Sequence, residues 1–117
     1  MNEKDETRLR DMLDAARHAQ TFAAGRLRSD LDSDEMLLFA LVRALEIVGE
    51  AARNVSQETS ETLNQIPWAS ITGMRHRLAH DYIHVNPTTV WNTIELDLPP
   101  LIAELEKILP PEEDASV

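Results

Sequence analysis

The chain has 117 residues, which suits one domain with a modest core of its own. Apolar residues make up 43% and charged residues 27%, and three glycines with few aromatics argue against an all-β fold. There is no cysteine, which excludes disulfides and thiolate metal sites, and a net charge of −10 argues against a broad basic face of the kind that holds a nucleic-acid backbone. The N-terminus is charged from the start, without an apolar leader core, and no run is long enough to span a bilayer. The expected location is cytoplasmic.

The first helix is predicted over residues 5–24, where Leu9, Met12, Leu13, Ala16, Ala19, Phe22 and Ala23 recur at steps of three and four. Gly25 is a stop signal. Residues 26–32 read as a polar connection. The second helix is predicted over residues 33–55, with Asp32 and Glu35 spaced as a capping box or Ser33 as the cap. Its apolar stripe of Leu37, Leu38, Leu41, Leu45, Val48, Ala52 and Val55 is widened by Met36, Phe39, Ala40 and Ile47. A helix apolar over so much of its circumference is either central in a bundle or shared with another subunit. Gly49, Ala51 and Ala52 permit a close backbone approach.

Residues 56–65 are polar and hold at most one short helix. A further helix is expected from Ile66-Pro67-Trp68, with Pro67 in its first turn, to an end near His80. Asn86-Pro87 forces a break. Strong helical periodicity returns over residues 87–109, but Pro99 and Pro100 predict a break or sharp kink near Asp97 and Leu98, with Asp97 as a cap. The expected fold is all-α: a single antiparallel up-and-down bundle of four to five helices over residues 1–109, with residues 110–117 as a disordered acidic tail.

The chemistry concentrates in one place. Residues 71–86 hold two arginines against one aspartate, a local charge of +1 in an otherwise acidic chain, and they contain His76, His80 and His84. An arginine brings a permanent charge and a planar fork of donors for a phosphate. A histidine titrates near neutrality and can move a proton. Cleaving RNA without a metal needs both: a base for the 2′-hydroxyl proton and a cation for the charge developing at phosphorus. Arg75 and His80 are five residues apart, about 140° around an ideal helix. They share one phosphate only if the helix unwinds near His80 or a partner subunit completes the site.

Other readings of the same residues stay open. Arg77 and His80 can cap the last carbonyls of a helix. His76, His80 and His84 fall at i, i+4 and i+8 and would align for zinc on a continuous helix, though no acidic motif accompanies them. Glu46 and Glu50 lie one turn apart on the second helix, where one can ion-pair with Arg75 or Arg77.

Arg75-x4-His80-x-Tyr82 matches the R-x4-H-x-Y signature of HEPN-superfamily proteins of the HepT kind. Ala44-Leu45-Glu46-Ile47-Val48-Gly49-Glu50-Ala51-Ala52 resembles that branch's second helix, and Ile66-Pro67-Trp68, Ile71-Thr72-Gly73-Met74 and Val90-Trp91 follow in the family's order. The chain therefore resembles the HepT-like ribonuclease toxins encoded beside a minimal nucleotidyltransferase antitoxin. The resemblance implies a helical HEPN fold, a homodimer with the two motifs facing a shared cleft, and metal-independent endoribonuclease activity without a cofactor. It implies Arg75 and His80 as the catalytic pair and Tyr82 as the hydroxyl adenylylated by the cognate antitoxin. Arg77 and His76 are expected RNA contacts, and His76 departs from the small polar residue usual after the arginine. The same resemblance allows an alternative, a noncatalytic HEPN dimer that binds nucleotide, RNA or the nucleotidyltransferase.

Overall fold

The structure is a computed structural model that describes residues 1–78 and 85–111, apart from the side chain of Arg75. Among the described residues all regular structure is helical, as expected. The helices are α1 (Glu3–Ala23), α2 (Asp30–Ser33), α3 (Glu35–Arg53), α4 (Gln57–Thr62), α5 (Trp68–Thr72), α6 (Met74–Leu78), α7 (Pro87–Asn92) and α8 (Leu98–Ile108). A π-helical turn, Thr93–Asp97, joins α7 to α8.

Helices α1 and α3 form a hairpin along most of their length. Leu9, Met12, Leu13, Ala16 and Ala19 of α1 are buried against Leu41, Leu45 and Val48 of α3. The small residues of α1 let the two helices approach, and the leucines fill the space between them. Gly25, with φ +74°, ends this first arm in a conformation that suits a residue without Cβ. The connection after it is not merely polar loop. Residues Asp30–Ser33 make one helical turn that buries Leu31, so α3 starts later than expected. Its cap is Asp34, whose carboxylate accepts the Leu37 N–H at 3.0 Å, not Asp32 or Ser33.

An arm of α5 and α6 packs on α3, and α7 through α8 closes the bundle against α1 and α3. The expected break before the two prolines is absent: helical structure runs from Pro87 to Ile108. The Leu98 N–H bonds to the Thr93 carbonyl, a five-residue turn. That wide turn shifts the register so that Pro99 and Pro100 fall in the first turn of α8, where missing N–H groups do least harm. Leu98 stays helical at φ −69° and ψ −42°, and the Asp97 side chain makes no capping bond. The shift keeps Ile94 and Leu98 in the core while Leu96 is left exposed.

Asp5 is a buried carboxylate that nothing in the periodicity singled out. It accepts the Ser56 N–H at 2.9 Å, the Ser56 hydroxyl at 2.6 Å and the Thr59 hydroxyl at 2.5 Å. These bonds, from Ser56 above all, hold its carboxyl below the usual carboxylate range. They clamp the start of α1 to the start of α4. At the other end, Arg10 donates to the Pro110 carbonyl at 2.7 Å, so the beginning of the expected acidic tail is attached to α1. Residues 112–117 lie outside the described residues.

Candidate functional site

Helix α3 is the platform for the motif. Gly49 is buried, and a Cβ there would lie 3.4 Å from the Ile71 carbonyl oxygen of α5. The small residues noted in the sequence therefore mark a close crossing of α3 and α5. Ile71, Met74 and Leu78 are buried at steps of three and four, which fixes the face that α5 and α6 present to α3.

The expected single helix from Trp68 toward His80 is two short helices. They meet at Gly73, whose N–H bonds to the Ala69 carbonyl at 3.0 Å, while the His76 N–H turns to the Gly73 carbonyl at 3.1 Å. A Cβ on Gly73 would come within 3.1 Å of the Ala69 carbonyl oxygen, so the joint favours glycine. Pro67 caps α5 from outside rather than occupying its first turn, and the Trp68 indole N–H bonds to the Leu63 carbonyl at 3.0 Å.

Arg75 lies in α6, one residue after the buried Met74. His76 and Arg77 are exposed on the same helix. The Arg77 guanidinium donates to the Ser70 hydroxyl at 3.4 Å and to the Ser70 carbonyl at 3.3 Å. Such long bonds hold it weakly. Its partner is thus Ser70 of α5, not Glu46 or Glu50. Sequence reasoning missed Ser70; its only signal was its place seven residues before Arg77.

His80, Tyr82 and His84 lie outside the described residues. The expected convergence of Arg75 with His80, the modification site Tyr82 and the alternative histidine alignment for zinc all fall on them, in whole or in part. Both flanks of this segment are anchored. Leu78 is buried on its near side, and Val85 packs against the core on its far side. The Asn86 side chain then accepts the Thr88 and Thr89 N–H groups at 2.9 and 3.3 Å and starts α7. Arg28 ties the same end down, donating to the Thr88 hydroxyl at 2.9 Å.

The profile of a protein family described as "Ribonuclease HepT-like" matches residues 12–108. Curated relatives agree. A candidate RNase of Caldanaerobacter subterraneus subsp. tengcongensis is 41% identical over 80 residues, covering 68% of this chain and 71% of its own. A protein named a probable ribonuclease HepT, from Thermococcus cleftensis, is 33% identical over 100 residues, with 86% and 91% covered. A candidate RNase of Methanocaldococcus jannaschii is 30% identical over 98 residues, with 84% and 90% covered. No solved structure matches.

Proposed function

The chain belongs to the HepT-like ribonuclease family, and on that premise we propose that it is a metal-independent endoribonuclease, the toxin of a type VII-like toxin–antitoxin pair. The observation that carries this reading is the family match across residues 12–108, and the pattern Arg75-x4-His80-x-Tyr82 in the sequence of that span supports it. In the proposed reaction the 2′-oxygen of RNA attacks the adjacent phosphorus, the 2′-O–P bond forms and the P–O5′ bond breaks. His80 either takes the 2′-hydroxyl proton or gives one to the departing 5′-oxygen, solvent water serves at the other oxygen, and Arg75 stabilises the charge on the phosphoryl oxygens. Arg77 and His76, exposed beside Arg75 on α6, contact the flanking backbone. The working form is a homodimer in the cytoplasm whose two motifs share a cleft. A cognate minimal nucleotidyltransferase neutralises it by adenylylating Tyr82, because added phosphate at that hydroxyl repels and crowds an RNA backbone.

The substrate tests the chemistry. Purified protein in EDTA is expected to cut an RNA oligonucleotide, leave a 2′,3′-cyclic phosphate, and spare the same oligonucleotide carrying 2′-deoxyribose throughout. Cleavage of the deoxy strand, or loss of all cleavage in EDTA, contradicts the proposal. The acidic net charge of −10 favours a second reading, the noncatalytic binding dimer. Normal growth of cells that accumulate the chain without its antitoxin supports that reading; growth arrest supports the nuclease.

A further inference from the structure

Two exposed side chains, one on α5 and one on α6, form a small donor site beside the motif. Arg17, Arg26 and Arg28 each pair with a carboxylate, at 2.7, 3.4 and 2.9 Å. Arg77 meets no carboxylate among the described residues. It reaches only neutral oxygens of one residue, the hydroxyl and the carbonyl of Ser70, at 3.4 and 3.3 Å. Bonds so long leave the guanidinium charge poorly compensated. Ser70 is itself exposed, and its hydroxyl accepts from Arg77 but donates to no described residue. Its proton is therefore available to an outside acceptor.

We infer that Ser70 and Arg77 form a phosphate subsite that holds the RNA strand at a phosphodiester near the one cleaved. The inference rests on the nuclease reading above and gives the strand a path. The ligand is an anion because a guanidinium and a hydroxyl converge there with no carboxylate to compete, and two phosphodiester oxygens match the guanidinium fork. The geometry of α6 selects which anion. Met74 and Leu78 bury one side of that helix. Positions 75 and 77 lie about 200° apart around it. They therefore fall on the two flanks of the buried side, with the exposed His76 on the ridge between them. The phosphate held at Arg77 is then a different one from the phosphate assigned to Arg75. A strand that serves both crosses α6 over His76, which an extended polymer does and a free phosphate does not.

Binding of an uncleavable RNA tests the subsite apart from the chemistry. The probe is a fluorescent 2′-O-methyl RNA oligonucleotide, followed by anisotropy over a salt series with the full chain. Arg77→Ala is expected to weaken binding about tenfold. It is also expected to flatten the slope of log affinity against log salt by about 0.7, the share of one single-strand phosphate contact. Ser70→Ala is expected to weaken binding about threefold at an unchanged slope, because a hydroxyl carries no charge, and Ser70→Thr to restore it. Helical circular dichroism is expected to be the same for all, since both residues are exposed. Neutral methylphosphonates, placed one at a time, locate the contact: one position is expected to cost wild type affinity and to cost Arg77→Ala nothing further. A wild type that binds no oligonucleotide, variants that bind like wild type, or a scan in which no position distinguishes the two proteins overturns the subsite. Cleavage of the matching 2′-hydroxyl RNA separates the two claims. Cleavage by wild type with variants that bind undiminished removes the subsite and leaves the nuclease. The expected binding losses without any cleavage leave the subsite and remove the nuclease.

Discussion

Asp5 shows how one carboxylate can hold two helices. Three donors converge on it from Ser56 and Thr59, and the bonds favour its charged form. Since its folded pKa is depressed, its contribution to stability is complete above the unfolded carboxyl value of 3.8 and is lost as pH falls through the lower folded value. Asp5→Ala is expected to lower the melting temperature at neutral pH by about 5 °C. The variant's stability should also fall less steeply below pH 4 than that of wild type. An acid limb of unchanged slope, followed by thermal melts across pH, would show that the clamp does not act through its charge. The sequence hid this residue because an aspartate in the first turn of a helix reads as an ordinary dipole partner. Its true partners lie more than fifty positions away. The proposed pair Arg75 and His80 is the opposite case: it rests on resemblance to a family motif and not on helical geometry, which sets the two about 140° apart on an ideal helix.

At the scale of elements, close approach and register decide more than propensity. Gly49 sits where α3 meets the Ile71 carbonyl, and a methyl group there makes a contact at 3.4 Å. Gly49→Ala is therefore expected to be nearly neutral in denaturant melts, because the gain in helix propensity offsets the tight contact. Gly49→Leu is expected to cost about 2 kcal/mol or more by prising α5 off α3. If the leucine variant melts like wild type, α5 does not depend on that crossing. The sequence signalled this crossing, since Gly49, Ala51 and Ala52 stand together on one helix. It did not signal the π turn at Thr93–Asp97, because Pro99 and Pro100 by themselves argue for a break. A single inserted register step reconciles them with continuous periodicity, and only the burial of Ile94 and Leu98 beside an exposed Leu96 reveals it. Gly73 splits the expected motif helix for a related reason: one glycine inside an apolar period is too weak a signal to place a joint.

Across the whole molecule, the heptad-like burial of α1, α3 and α8 made the all-helical bundle legible from sequence alone. Strong apolar periodicity has few other structural solutions in a chain of this length. No described helix is long and apolar enough to cross a membrane. The charge distribution is equally legible and bears on function. An acidic body surrounds a stretch at residues 71–86 with a net charge of +1, and on the proposed function that contrast would favour a narrow local RNA site over a broad basic face. Local patterning could not reveal that Arg77 turns to Ser70, because that contact depends on how α5 and α6 pack on α3. The claim on which everything turns is that a guanidinium and an imidazole in this stretch cleave RNA unaided. It is tested most directly by incubating wild type, Arg75→Ala and His80→Ala with RNA in EDTA after confirming equal helicity. The account predicts cleavage by wild type and a loss of at least about a hundredfold in each variant. Equal cleavage by the His80→Ala protein would contradict it.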